Sequence, residues 1–299
     1  MAYERTARFP IAAKAWDLVE FVKLQHSLFA MPFALMSALL AGREGASVGQ
    51  IGWIVVAMVG ARSSAMGFNR IVDRELDAAN PRTAARALPA RRLTLGQAWA
   101  FVAVSTAVFV YAAYRLNALA LWLSPVALAI VWGYSFTKRF TSMSHLVLGL
   151  SLGIAPAGAW IALRGTLSPT AMLLSAAVVL WTAGFDVIYA CQDVRFDLER
   201  GLHSLPARMG MARALLVARL FHVGMLALLV AAGWAAHLGA IYYGGLVLVA
   251  GLLVLQHRLV RPNDLSRVNA AFFTANGVLS VALLLLTVAD VLLCKGVGK

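Results

Sequence analysis

Nine apolar runs separated by short polar breaks dominate the sequence, at roughly 18–41, 49–72, 96–115, 118–136, 145–163, 170–190, 212–236, 239–257 and 269–294. A helix needs about 20 residues to cross the hydrocarbon core of a bilayer. Membrane strands would instead show alternating segments of about ten residues, and none is present. The pattern predicts an all-α polytopic membrane protein with about nine transmembrane helices. It forms a single transmembrane domain over 1–299, with residues 1–17 as a cytoplasmic N-terminal tail. Composition agrees: 61% of residues are hydrophobic and 13% charged, against about 45–50% and 25% in soluble domains. That excludes a disulfide scaffold, a coiled coil, a disordered tail protein and a soluble nucleic-acid binder.

The net charge of +13 therefore reads first as topology. Most Lys and Arg lie in the N-terminal tail, in the loops after spans two, four, six and eight, and at the helix ends beside them. Only Arg43, Arg115 and Arg164 lie at the loops after spans one, three and five. The positive-inside rule places the basic loops and the N-terminus in the cytoplasm, as in a multi-pass protein of the cytoplasmic membrane. The two cysteines, Cys191 and Cys294, have no metal-binding spacing. His145, His222, His237 and His257 are scattered and read as structural.

Acidic residues carry the strongest signal. The chain has 13, and seven fall in two short stretches: Asp73, Glu75 and Asp77, then Asp186, Asp193, Asp197 and Glu199. Each stretch lies at the basic end of a span, two or six. Each holds two aspartates four residues apart, which share one face of a helix and repel. Such pairs persist when something positive sits between them, and Mg²⁺ held by one or two carboxylates plus substrate phosphates is a natural solution. Asn69 and Arg62 extend the first pair along the same face, so Arg62 should lie roughly 22 Å below Asp77. An arginine at that depth marks a functional site, because a lone cation in hydrocarbon is costly. Asp186 and Tyr189 extend the second pair likewise. A basic, proline-containing loop follows each stretch, and Tyr134, Lys138 and Arg139 follow span four. Acid pairs beside basic loops describe a diphosphate site, built as a pseudo-repeat displaced by four helices.

These residues resemble the UbiA superfamily of intramembrane aromatic prenyltransferases. Asn69-xxx-Asp73-xxx-Asp77 is similar to its first aspartate-rich motif, and Asp186-xx-Tyr189-Ala190-xx-Asp193-xxx-Asp197 to its second. Arg62, the Arg82-Thr83-xx-Arg86-xx-Pro89 loop, Tyr134-xxx-Lys138-Arg139 and Gly201-xx-Ser204 add support. The family often has Asp where this chain has Arg70, and Lys where it has His203. An Asn-Arg first motif looks like the hydroxybenzoate-type branch used in the futalosine route to menaquinone.

The resemblance implies nine helices around a central cavity. It also implies Mg²⁺-dependent transfer of a polyprenyl group from polyprenyl diphosphate to a small aromatic acid, 4-hydroxybenzoate or 1,4-dihydroxy-6-naphthoate, in ubiquinone or menaquinone synthesis. On that basis Asn69, Asp73, Asp77, Asp193 and Asp197 hold the metal, and Arg82, Arg86, Lys138, Arg139 and Ser204 bind diphosphate. Asp186 or Asp193 removes the ring proton. Arg62 pairs with the acceptor carboxylate, helped by Tyr189, Lys23 and His26. Membrane lipid receives the long tail, and no nucleic acid is involved. A secondary transporter is the alternative, but its charges would gather at the bilayer midplane rather than at one face. A CDP-alcohol phosphotransferase would carry an Asp-Gly-xx-Ala-Arg signature, which is absent.

Overall fold

The structure is a computed structural model that describes Phe21 and residues 27–293. The tail at 1–17, Lys23, His26, most of the first half of span one, and Cys294 lie outside the described residues.

Polar residues in the breaks begin the helices. Ser47 with Gln50, and Thr94 with Gln97, form reciprocal capping boxes that start α2 (Val48–Val72) and α4 (Leu95–Leu116). Each satisfies amides left unpaired in a helix's first turn. Asn117 caps α5 (Ala118–Thr137) by accepting the Ala120 N–H at 2.8 Å. Ser168 caps α7 (Pro169–Ala190), whose first residue is a proline, a position where the missing N–H costs nothing. The remaining long helices are α6 (Ser144–Arg164), α10 (Met211–Ala235), α11 (Ala240–Leu259) and α12 (Ala275–Leu293), the last entered through a π-turn at Ala270–Thr274. The shorter α1 covers Ser27–Ala41. Three one-turn elements, α3 (Arg74–Ala79), α8 (Val194–Glu199) and α9 (Leu205–Met209), sit in the basic loops.

Among the described residues, eight helices are long and apolar enough to cross a membrane, and α1 is a ninth, shorter apolar helix. Observed ends fall within about two residues of the expected spans after the first. Pro125 leaves α5 continuous, and the break between spans seven and eight falls at 236–239, where His237 takes a φ of 52°. Large apolar side chains face outward, with Trp122 79% and Trp234 78% exposed. Outward faces of this kind are stable against lipid and would associate in water.

Close backbone approaches hold the bundle together. α6 lies against α7 at Gly149 and Gly153, where an added Cβ would stand 2.4 Å from the Val179 carbonyl oxygen and 2.5 Å from Val179 Cγ2. Between helices in lipid, packing of this sort replaces the hydrophobic effect. A second core joins α1, α7, α10, α11 and α12 around Phe33, Trp181, Tyr242 and Leu283.

Gly149→Val should lower the thermal stability of the detergent-purified protein, since overpacking costs about 1–3 kcal/mol. Gly133→Ala, with nothing within 4 Å of the new Cβ, should leave it unchanged or slightly higher. Equal melting temperatures for the parent and Gly149→Val would show that the α6–α7 contact is not tight.

Candidate active site

One large cavity, ≈ 570 Å³, opens among α2, α4, α5, α6 and α7. Its deep part is apolar, lined by Ile54, Met58, Phe109, Leu116 and Ile161. Its other end carries Asn69, Asp73, Asp77, Asp193 and Asp197. Both acidic motifs thus open into one space, although 109 or more residues separate them in sequence.

Each expected helical pair straddles a helix break. α2 ends at Val72, and Asp73 has φ −94°, ψ 8°. In the second motif a 3₁₀ turn over Cys191–Asp193 separates α7 from α8, and Asp193 has φ −102°, ψ 4°. Both first aspartates therefore adopt the same sparsely populated bridge conformation, common at active sites. This corrects the expectation of a single continuous helix through either pair. Short acidic side chains compete with the helical backbone, and here each is drawn to a cation instead. The turn is kept in the first motif, where the Asp77 N–H donates to the Asp73 carbonyl at 2.7 Å.

Cations from the basic loops neutralise all four aspartates. Arg139 pairs with Asp73 at 2.9 Å, Arg86 with Asp77 at 2.5 Å, and Lys138 with Asp197 at 3.9 Å. Arg82 grips Asp193 with Nη2 at 2.5 Å and Nε at 3.0 Å. Its Nη1 also donates to the Tyr189 hydroxyl at 3.1 Å. Asn80 adds a bond to Asp193 Oδ1 at 3.2 Å. The loop after the first motif therefore reaches across to the second, and the end of α5 touches both. Burial pushes the Asp73 carboxyl above the ordinary carboxylate range, with Arg139 opposing the shift. Burial works against the Arg82 charge, but its bonds to Asp193 outweigh that and hold it above the usual arginine value.

Several expected residues take other positions. Asn69 donates its amide to Asp73 Oδ2 at 2.9 Å, so it orients that carboxylate. Ser204 is fully buried and off the cavity wall; it caps α9 by accepting the Ala207 N–H. That departs from direct diphosphate contact, because the hydroxyl is used to begin a helix. Arg139 also lies off the cavity wall, held on Asp73 and on the Ser135 carbonyl. Arg70 is buried, 3.8 Å from Asp77. Arg62 lines the cavity, and its Nε is buried with no hydrogen-bond partner.

Sequence reading missed His145, which hydrogen-bonds Asp186 at 2.7 Å. It also missed Phe272, which the π-turn aims into the cavity 4.3 Å, centroid to centroid, from the Tyr189 ring. A π-turn frequently marks a functional site, and no simple sequence period announces one.

Among the described residues no three of His, Cys, Asp or Glu converge on a ready-made metal site. The donors fit a metal that shares its ligands with a phosphate. Asp77 Oδ2 and Asp197 Oδ2, one from each motif, are buried carboxylate oxygens without a hydrogen bond. A buried polar atom left in this state calls for a partner, and a hard divalent cation suits it.

Comparison with known proteins places the chain as a whole. The UbiA prenyltransferase family model matches residues 30–286. A 4-hydroxybenzoate octaprenyltransferase of Tolumonas auensis is 35% identical over 73% of this chain and 76% of its own length. One from Pseudomonas aeruginosa is 32% identical over 93% and 94%. The apo structure of a UbiA homolog from Aeropyrum pernix superposes with a TM-score of 0.77 at 33% identity, covering 90% of this chain and 98% of that one. A UbiA homolog from Archaeoglobus fulgidus, solved with GPP and Mg²⁺, shares the fold with a TM-score of 0.72 at 17% identity, over 92% and 99%. With the family model and the relatives covering nearly the whole length, the chain belongs to the UbiA prenyltransferase family.

Proposed function

We propose that this protein transfers a polyprenyl group from its diphosphate to the ring of a small aromatic carboxylic acid, with Mg²⁺ as cofactor, at the cytoplasmic face of the cytoplasmic membrane. One observation carries the reading. Four aspartates, each paired with a cation, ring one end of a cavity that also holds Arg62 and Asp186 and whose far end is lined by apolar side chains.

In the structure the two charge sets satisfy each other. A diphosphate offers Arg82, Arg86 and Lys138 better anionic partners, with Arg139 close behind, and frees Asp73, Asp77, Asp193 and Asp197 to hold Mg²⁺. When bound, Mg²⁺ supplies Lewis-acid neutralisation of the departing diphosphate. The arginines and Lys138 stabilise the same developing charge. The apolar depth takes the prenyl chain and keeps water from the allylic cation. Arg62 receives the acceptor carboxylate and points the ring toward that cation. Asp186 takes the ring proton, because Asp193, once Arg82 turns to the diphosphate, would be taken up by Mg²⁺, whereas Asp186 lines the cavity seven residues before it on α7. Acceptors that suit Arg62 include 4-hydroxybenzoate and 1,4-dihydroxy-6-naphthoate. The Asn69-Arg70 motif supports the naphthoate, and the names of the relatives support the benzoate.

Membranes containing the protein, incubated with a polyprenyl diphosphate and either acid, should yield a prenylated acid by mass spectrometry. Chelation should stop the reaction and Mg²⁺ restore it. Asp77→Asn or Asp197→Asn should lower the rate on the order of 100-fold or more, the scale of losing a main charge-stabilising group. Normal transfer by either variant would sink the metal assignment.

Arg62→Ala should raise the acceptor KM roughly 30-fold or more, since breaking a buried charge pair costs about 2–5 kcal/mol. The KM for the prenyl diphosphate should stay near that of the parent. An unchanged acceptor KM would mean that the carboxylate binds elsewhere.

A further inference from the structure

His145 lies near the start of α6 with its side chain wholly buried, next to Asp186. Its Nδ1 is 2.7 Å from Asp186 Oδ2. Its Nε2 accepts the backbone N–H of Leu205 at 3.2 Å. A backbone amide can only donate, so Nε2 carries no proton. The ring proton then sits on Nδ1 and is donated to the Asp186 carboxylate, as in other sites where one ring nitrogen fixes the tautomer of the other.

Leu205 lies in a segment that also reaches the diphosphate end of the cavity. His203 donates its backbone N–H to the Lys138 carbonyl at 2.8 Å, and Leu202 donates to the Asp197 carbonyl at 2.8 Å. Arg208 reaches Ser142 on the loop between α5 and α6 at 3.0 Å. One imidazole therefore joins a carboxylate on the cavity wall to the segment that seats Lys138 and Asp197.

We propose that His145 is a positioning residue whose Nδ1–H holds the Asp186 carboxylate in register with the diphosphate-binding loops. The inference rests on the reading of Asp186 as the group that takes the ring proton. In that step the new carbon–carbon bond leaves a hydrogen on the attacked ring carbon. Asp186 takes it as a proton, and the carbon–hydrogen electron pair restores the aromatic ring. The diphosphate has already left with the electrons of its carbon–oxygen bond, and Asp186 later returns its proton to water. The His145 proton stays on Nδ1 throughout. Its function is geometric: without it a two-torsion side chain loses the bond that fixes one oxygen, and a base displaced by about 1 Å loses much of its advantage.

The test compares His145→Leu with His145→Gln, using acceptor deuterated at the attacked ring position. Leucine fills the space without hydrogen bonds, whereas a glutamine amide can both donate and accept. His145→Leu should lower kcat roughly tenfold to 100-fold, the scale of a misplaced catalytic group, with both KM values near the parent's. It should also show a deuterium isotope effect on kcat larger than the parent's, because ring-proton removal becomes slow. His145→Gln should recover most of kcat and bring the isotope effect back. A folding defect lowers the amount of active protein but does not create an isotope effect. The proposal is overturned if His145→Leu shows the parent's isotope effect, if its loss falls in KM, or if glutamine gives no rescue.

Nitrogen NMR of ¹⁵N-histidine-labelled protein provides an arm that does not depend on turnover. The His145 ring, assigned by its disappearance in His145→Gln, should show one protonated nitrogen that shifts in Asp186→Asn. A proton on Nε2 instead, or no response to Asp186→Asn, would overturn the proposal. A parent that prenylates no aromatic acid would overturn the function proposed above and leave this arm to decide on His145.

Discussion

Buried carboxylates at the edge of a bilayer must be neutralised, and the active end of this protein is arranged around that requirement. Asp77, Asp193 and Asp197 are each less than 10% exposed, so water screens them weakly and an uncompensated charge there would cost several kcal/mol. The basic loops supply the compensation. They explain why the loop after α3 crosses the cavity mouth to Asp193, and why the end of α5 reaches both motifs. These ion pairs are therefore part of the fold. They tie the loops across the mouth of the cavity.

The same pairs make the site responsive to its ligand. In the proposed function a divalent metal and a diphosphate would arrive together as a cation and an anion. Each would replace half of an existing ion pair, so the buried charges would stay balanced at every stage. A site made only of aspartates would be strongly repulsive when empty, and one made only of arginines would hold the diphosphate product. Arg70, in place of a further acid, fits this scheme by adding a cation 3.8 Å from Asp77.

Much of this was legible in the sequence because hydrophobic length and charge scarcity are local properties. Eight of the nine span boundaries follow from where apolar runs stop, and the caps at Ser47, Thr94, Asn117 and Ser168 stand beside them. The four motif aspartates stood out because so few acids occur elsewhere. Other features depend on contacts across the bundle. Periodicity placed Asp73 and Asp77 on one helix, but the pull of Arg139 and the backbone habits of aspartate broke the helix there. His145 looked like an ordinary core histidine because both of its partners, Asp186 and Leu205, are more than 40 residues away. Ser204 matched a motif, yet only the fold shows its hydroxyl committed to the start of α9.

The position of Arg62 unites the site's two functions. A buried guanidinium whose Nε has no hydrogen-bond partner is costly within a membrane span, unlike the arginines at the mouth, which all have carboxylates. The α2–α4 contact does not use it: α2 packs on α4 through Gly60, where an added Cβ would meet the Phe109 backbone at 2.9 Å. A cation retained at such a cost is best explained by an anion that enters from outside and leaves again. In the proposed function the deep arginine and the charged mouth would therefore select two anions of different kinds, the acceptor carboxylate at one and the diphosphate at the other.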